Sequence, residues 1–137
     1  MKRGPAKRGC TDAFKRVRAL GLALPEVKAA TKYDGSPVLK MRGCFMAGIA
    51  TDGSAEPDTL VVRSDFEERE WLLEEAPEIY YVTDYHQKYP VVLVRLSRID
   101  NEALRDLLLS SWRLTAAKAG RASNVRRDEQ YRRTDEN

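Results

Sequence analysis

Apolar residues recur with two different periods along this chain, and the changes of period mark the predicted elements. Apolar positions every three or four residues predict helices over residues 12–24, 64–76 and 101–119. Alternating or continuous apolar runs predict strands over residues 38–41, 44–50, 59–63, 79–83 and 91–96. The continuous run at the start of the last strand is typical of a central strand that is covered on both faces.

The predicted order, α-β-β-β-α-β-β-α, indicates an α+β fold with a mainly antiparallel sheet and helices packed on it. Residues 26–36 are interpreted as a loop, because Asp34-Gly35-Ser36-Pro37 carries a turn signal. One folded domain is expected over residues 11–120. Residues 1–10 are predicted to form a mobile basic arm, and residues 121–137 a charged tail that is either disordered or a frayed helix.

Capping residues and helix breakers predict where the helices begin and end. Ser64, followed by Glu67 three positions later, matches a capping box for the second helix. Asp100 is predicted to cap the third helix and Gly120 to end it. Pro25 should end the first helix, because proline pushes the preceding residue out of the α region.

Apolar positions within the elements identify a candidate core. The predicted buried stripes of the first and last helices are Phe14, Val17, Leu20, Gly21 and Leu24, and Leu104, Leu107, Leu108, Trp112 and Ala116. Between the first two predicted strands, Arg42-Gly43 should form a tight reversal, with glycine supplying the positive φ. Period-two alternation then places Phe45, Ala47 and Ile49 on one face of the sheet.

Charge is distributed unevenly along the 137 residues. The whole chain carries a formal charge of +3, yet residues 1–18 hold seven basic side chains and one acidic side chain, a net +6. Residues 19–120 hold 12 basic and 16 acidic side chains, a net −4, and residues 121–137 carry +1. The expected folded core is therefore acidic. Charged ends can keep a small protein soluble, and they can also bind phosphates.

Several classes of function are disfavoured by what the sequence lacks. No apolar run approaches membrane-spanning length, and no apolar stretch follows the basic start, so neither a membrane span nor a secretory signal is expected. Cys10 and Cys44 are too few for a disulfide framework, which favours the reducing cytoplasm. Nucleotide and hydrolase motifs are missing, and the single histidine, His86, has no metal-ligand spacing. We therefore predict no catalytic site, metal or cofactor.

Two long stretches of the chain resemble the MmcQ/YjbR family. The first joins VRALGLALPEV to SPVLKMRGCFMAGIA, and the second runs from DTLVVRSDFEEREWLL through YYVTDYHQKYPVVLVRL to ALRDLLLSSW. Together they cover about residues 12–115. The resemblance implies a secretion-chaperone-like α+β fold and the family's label of a DNA-binding protein with a double-wing motif. One departure is that this chain has Tyr85-His86 where many relatives carry the histidine one position earlier.

Basic and aromatic positions indicate where DNA would bind. The candidate contacts lie on the first helix and at two predicted hairpin tips: Lys15, Arg16, Arg18, Lys40, Arg42, Tyr85, His86 and Lys88. Such tips suit wings that enter or flank a groove, whereas the net −4 core repels DNA elsewhere. Together with the basic arm, they predict weak, salt-sensitive binding to duplex DNA.

Two other functions fit the same pattern. A secretion-chaperone-like fold also suits a protein-interaction module, without a nucleic-acid role, that binds partner segments at a sheet edge or groove. A small enzyme would need a concave pocket around His86 and a perturbed titration of its imidazole. A hairpin tip whose tyrosines pack on adjacent strands explains the same residues without any ligand.

Overall fold

Six antiparallel strands and three helices account for most of the chain that the structure, a computed structural model, describes. Residues 6–129 are described, with side chains over residues 13–120. In chain order the elements are α1 (Ala6–Leu22), β1 (Val27–Thr31), β2 (Pro37–Met41), β3 (Cys44–Ile49), β4 (Thr59–Arg63), α2 (Phe66–Glu75), β5 (Tyr80–Tyr81), β6 (Val91–Arg95) and α3 (Asn101–Glu129). The predicted α+β class is confirmed, and β1 is one strand more than predicted.

The strands follow the order β1-β2-β3-β4-β6-β5, and every neighbouring pair is antiparallel. The first four strands are consecutive in space as well as in sequence. The chain then leaves the sheet through α2, adds β5 at the far edge, and returns with β6 between β4 and β5. The register sets Leu60 opposite Val94 and Val62 opposite Val92, so these four side chains share one face.

The main core lies between that face of the sheet and the helices. Phe14 and Val17 of α1 and Leu104 and Leu108 of α3 are at most 3% exposed. Leu72 brings α2 into the same cluster. Full burial of each such leucine stabilises the fold by about 2 kcal/mol. The predicted stripes of the first and last helices are thus confirmed.

The opposite face of the sheet, called the open face below, carries Lys28, Lys40, Phe45, Val61 and Arg63. Leu93 also points this way, because its neighbours Val92 and Val94 pack toward the helices, yet Leu93 is fully buried. The loops before β4 and before β6 meet here, since Ser54 Oγ lies at hydrogen-bonding distance, 3.1 Å, from Thr83 Oγ1. The prediction of a central strand covered on both faces is confirmed.

Strand β1 lies where the sequence predicted a loop. Its five residues pair in register with β2. Only Val27 is buried and the other four residues are exposed, so no apolar alternation marks the strand. It forms because β2 supplies partners for its backbone groups. The residues of the predicted turn signal nevertheless form a turn, which connects β1 to β2 and has Gly35 at a φ of 87°.

Both long helices extend beyond their predicted ends. α1 begins at Ala6, before the predicted start near residue 12, and α3 continues to Glu129, past Gly120. Residues 1–5 and 130–137, which belong to the predicted arm and tail, lie outside the described residues. Within residues 6–129, no helix combines the length and apolar character that crossing a membrane requires.

The N-terminal cap of α2 lies one residue later than predicted. The Asp65 side chain accepts a hydrogen bond of 2.7 Å from the backbone N–H of Glu68. Ser64 is buried, and its N–H donates to the carbonyl of Pro90 at 2.9 Å. The prediction of a capping box at Ser64 is therefore wrong, because the backbone of Ser64 pairs with Pro90, in the segment just before β6. The predicted Asp100 cap of α3 is confirmed.

A β-bulge in β3 changes the face that Phe45 occupies. Ala47 lies opposite Leu39, whereas Phe45, two positions away, lies opposite Lys40, only one position further along β2. Met46 is the extra residue. The bulge sends Phe45 to the open face while Ala47 stays in the core, so the prediction of one shared face is wrong. Period-two alternation does not survive a bulge.

Candidate nucleic-acid interface

The basic side chains predicted to bind nucleic acid divide between two sides of the molecule. Lys15 and Arg18 are exposed on α1, which packs on the helical side of the sheet. Lys40 is exposed on the open face, and Lys88 is exposed in the chain that precedes β6. The sheet therefore separates the two sets, which face different directions.

Arg16 is used inside the fold. Its Nη1 donates to Asn101 Oδ1 at 2.8 Å, and its Nη2 donates to the carbonyls of Leu96 at 2.5 Å and Ile99 at 2.7 Å. These bonds tie α1 to the connection between β6 and α3. The guanidinium that the sequence assigned to DNA contact thus holds two elements together.

Arg42 lies at the tip of the β2–β3 hairpin, where the predicted reversal is confirmed. Arg42 and Gly43 both adopt positive φ values, 53° and 81°, as a tight two-residue hairpin turn requires. Arg42 Nε donates to Glu26 Oε1 at 2.8 Å, and its Nη2 lies at the same distance from that oxygen. Since an exposed ion pair contributes at most about 1 kcal/mol, a phosphate can compete with this carboxylate.

Strand β1 adds a lysine that the sequence interpretation placed in a loop. Lys28 lies directly opposite Lys40 on the open face, and both side chains are exposed. Like charges in this arrangement destabilise a sheet by a few tenths of a kcal/mol or more. Among the described side chains, neither lysine makes an ion pair. The pair is thus an uncompensated positive site that attracts anions.

An aromatic ring and a third cation continue this row across the sheet. Phe45 is the next cross-strand neighbour of Lys40 and is half-buried. Arg63 Nε donates to the carbonyl of Phe45 at 2.9 Å. Burial lowers the pKa of Arg63, but a guanidinium stays charged in proteins. Four adjacent strands span about 14 Å, so the row is wide enough for several phosphates.

Residues 82–90, called the aromatic segment below, form a second part of this surface. Tyr85 is 52% exposed and Tyr89 is 41% exposed. Their ring centroids lie 5.8 Å apart with the planes tilted by 55°. Lys88 Nζ lies 5.5 Å from the ring centroid of Tyr89. Cation and rings thus reach solvent side by side.

His86 is not at the surface of the aromatic segment. It is 6% exposed, and its Nδ1 shares a hydrogen bond of 2.7 Å with Thr83 Oγ1. Its ring stands at 88° to that of Tyr85, with centroids 4.9 Å apart. Burial lowers the pKa of His86, and the nearby Asp52 carboxylate only partly opposes this. The imidazole is therefore neutral at pH 7, and it packs against the inner side of the exposed Tyr85 ring.

A buried arginine on α2 holds the other end of the aromatic segment. Arg69 is 6% exposed. Its Nη1 donates to the carbonyls of Tyr89 at 2.9 Å and Val91 at 3.2 Å, and its Nη2 donates to Gln87 at 3.0 Å. Hydrogen bonds from charged donors are about twice as strong as neutral ones. Arg69 thus fixes the backbone that carries Lys88 and Tyr89.

Polar contacts join the aromatic segment to the loop before β4. Ser54 Oγ donates to the Asp52 carboxylate and contacts Thr83 Oγ1 at 3.1 Å. The Ser54 hydroxyl lowers the pKa of Asp52, so this carboxylate is charged at pH 7. Tyr81 and Thr59 share a hydrogen bond of 2.6 Å between their hydroxyls. The two loops therefore form one connected cover over the part of the open face where Thr59 and Leu93 are buried.

This surface offers the groups that bind nucleic acids, namely cations for phosphates and aromatic rings for bases. Among the described residues, no three His, Cys, Asp or Glu side chains are arranged to hold a metal ion. The only histidine in the sequence is engaged with Thr83. The arrangement is thus suited to contact with a charged polymer.

Among the residues that the sequence interpretation missed are Lys28 and Phe45 on this surface and Arg69, which is buried beneath it, and each was missed for a different reason. Lys28 lies on a strand without apolar alternation. Phe45 is reoriented by a bulge that leaves no local signal. Arg69 had a usable signal, because it lies three positions before Leu72 and so faces the same side of α2.

The chain is similar to a described family and to mycobacterial proteins. A family model described as YjbR matches residues 22–114. Uncharacterized protein Mb2600 of Mycobacterium bovis and uncharacterized protein Rv2570 of Mycobacterium tuberculosis are each 36% identical to it over 47 residues. The aligned part is 34% of this chain, and the chain spans only 36% of the length of these relatives. No solved structure matches the chain.

Proposed function

The chain belongs to the YjbR family, and we propose that it binds nucleic acid, with the open face and the aromatic segment as the contact surface. DNA is the nucleic acid that the family resemblance implies. The observation that carries the proposal is the lysine pair formed by Lys28 and Lys40, exposed, directly opposed and without an acidic partner among the described side chains. Such a pair costs stability in the free protein and is relieved by a bound phosphate.

The number of cations sets the expected strength of binding. Lys28, Lys40 and Lys88 are the exposed cations of this surface that make no ion pair among the described side chains. Three phosphate contacts correspond to a slope of about −2 to −3 for the logarithm of affinity against the logarithm of salt concentration. Binding is therefore weak and strongly salt-dependent, in a protein whose residues 19–120 are acidic overall.

The double-wing arrangement enters the proposal in a modified form. The β2–β3 hairpin, with Lys40 on its strand and Arg42 at its tip, is one wing. The aromatic segment takes the place of the second wing. It folds back instead of projecting, because Thr83 binds Ser54 and Arg69 binds its backbone.

Charge reversal on opposite sides of the sheet tests the proposal. Fluorescence anisotropy with labelled DNA over a salt series would compare Lys28→Glu/Lys40→Glu with Lys15→Glu/Arg18→Glu, two double variants with the same change of charge. We expect the open-face variant to lose roughly tenfold or more in affinity and to flatten the salt slope by about two. The α1 variant should lose only a small, non-specific part.

Equal losses in the two variants would show that net charge, and not the open face, governs binding. A greater loss in the α1 variant would assign the contact to the helical side, where the sequence also placed candidate residues. If the wild-type chain does not bind at low salt, the proposed function is wrong.

A protein partner is the second candidate, favoured by the outer surface of α2. Trp71 is 59% exposed. Its neighbours on the helix surface, three and four positions away, are all acidic: Glu67, Glu68, Glu74 and Glu75. An exposed indole among carboxylates suits an arginine-rich or lysine-rich segment, whose cation can stack on the ring.

Titration with an arginine-rich peptide tests this second candidate. Saturable binding to the full chain that is lost in Trp71→Ala would support a protein-binding role for α2. Glu70→Gln, at an exposed position on the same helix, controls for the loss of a single charge. If Trp71→Ala binds the peptide as the wild type does, the binding comes from general attraction between opposite charges and not from a site at Trp71.

A further inference from the structure

The geometry of the exposed tyrosines bears on which form of nucleic acid fits this surface. The rings of Tyr85 and Tyr89 are tilted by 55° with centroids 5.8 Å apart. Successive bases of a duplex stay parallel and stack at about 3.4 Å. Two bases that stack on these two rings cannot remain parallel to each other. The pair of rings therefore fits bases that have already left their stack.

The rings are held in this arrangement before any ligand binds. The Tyr85 ring packs in a T-shaped arrangement with the ring of His86, which is buried and bonded to Thr83. The backbone of Tyr89 is fixed by Arg69. Because the segment is already ordered, binding does not have to order its backbone, and this raises the affinity available from stacking.

Cations lie both beside the rings and on the open face. Lys88 lies beside Tyr89, and Lys28 and Lys40 lie on the open face. A strand whose bases stack on the aromatic segment can place its phosphates on these lysines, as proteins that bind single strands commonly do. Tyr33, in the β1–β2 turn, is fully exposed and offers a further ring.

A duplex is a poorer match for the same surface. Its base faces are covered by neighbouring bases, and exposing them requires stacked base steps to be pulled apart. Reading bases in a groove needs side chains that reach the base edges, but His86 is buried and the Arg42 guanidinium is paired with Glu26 in the free protein. The duplex could use the lysines alone.

We propose that the preferred ligand is single-stranded nucleic acid, with bases stacked on Tyr85 and Tyr89 and phosphates on Lys28, Lys40 and Lys88. This inference rests on the proposed function and narrows it to one substrate class. Stacking of one base on an aromatic side chain raises affinity by roughly tenfold. The rings should therefore outweigh any single lysine.

The test measures anisotropy of one labelled sequence, as a DNA single strand, an RNA single strand and a DNA duplex, with the full chain. We expect at least one single strand to bind roughly tenfold more tightly than the duplex. Tyr85→Leu and Tyr89→Leu should each weaken single-strand binding by roughly tenfold and leave duplex binding unchanged. Trp71→Leu, an exposed aromatic position on α2, should change neither.

Conservative variants separate stacking from folding. Tyr85→Phe and Tyr89→Phe keep the ring and should retain single-strand affinity. If the chain binds neither the single strands nor the duplex, the proposed function itself is wrong. Duplex binding as tight as single-strand binding, or leucine variants that bind single strands like the wild type, would overturn only this inference and leave a lysine-based surface.

Discussion

Replacing Arg69 by methionine tests whether one buried guanidinium holds the aromatic segment in place. Methionine keeps most of the apolar stem of the side chain but cannot donate to the three carbonyls that Arg69 binds. Glu70→Met, at an exposed position next in sequence, introduces the same residue on the outer side of α2 and serves as the control.

The expected loss of stability follows from two opposing effects. Each hydrogen bond from a charged donor contributes roughly 1.5–3 kcal/mol, so three independent bonds would contribute at most about 4.5–9 kcal/mol. Burying an arginine without a carboxylate costs several kcal/mol, and the Nε of Arg69 also lacks an acceptor among the described residues. The methionine variant escapes that cost. A net loss of about 2 kcal/mol is therefore expected.

Two measurements check this expectation. Urea unfolding gives the global free energy, and amide hydrogen exchange reports on residues 82–91. The amides of His86 and Tyr89, which donate to the carbonyls of Thr83 and His86, should exchange faster in the variant than in the control. If Arg69→Met unfolds within about 0.5 kcal/mol of the wild type and these amides stay protected, the anchoring role is refuted.

Four further variants test other parts of the fold. Gly21→Ala should cost about 1–2 kcal/mol in chemical denaturation, because its Cβ would lie 2.3 Å from Cδ1 of the fully buried Leu39; Gly120→Ala, in open space within α3, should stabilise by about 0.5–1 kcal/mol. Lys40→Glu should stabilise the sheet by about 0.2–1 kcal/mol, since it faces a lysine. Burial lowers the pKa of His86 below 6.5, so the unfolded chain binds this proton at higher pH than the folded chain. Stability should fall as pH drops from about 6.5 through the lowered pKa, and His86→Asn should lose that dependence.

Each of these expectations has a contrary result. Equal effects of the two glycine variants would mean that the core near Leu39 has room for a methyl group. A destabilising Lys40→Glu change would show that the lysine pair is not under repulsion. An identical pH profile in His86→Asn would assign the acid sensitivity to carboxylates elsewhere.

The outline of the fold could be predicted from the sequence because its signals are local. Apolar periodicity identified all three helices and five of the six strands. Turn chemistry located the reversal at Arg42-Gly43, and the cap at Asp100 was identified from one side chain. Such signals depend on a few consecutive residues and on backbone preferences that persist in any context.

The candidate surface depended on the tertiary structure, because its residues are defined by partners far away in sequence. Lys28 lies opposite Lys40 only because β1 pairs with β2. Arg16 was predicted as a DNA contact and binds carbonyls 80 and 83 residues later. His86 was predicted at an exposed tip and is buried.

Local patterns therefore determined which segments form helices and most strands, and tertiary pairing determined which side chains remain free for a ligand. The unpredicted strand β1 illustrates the difference. Its exposed, non-alternating residues carry no apolar signal, and its backbone groups are satisfied only when β2 lies beside them. Exposure, register and charge pairing arise from contacts between distant segments, which no short stretch of sequence encodes.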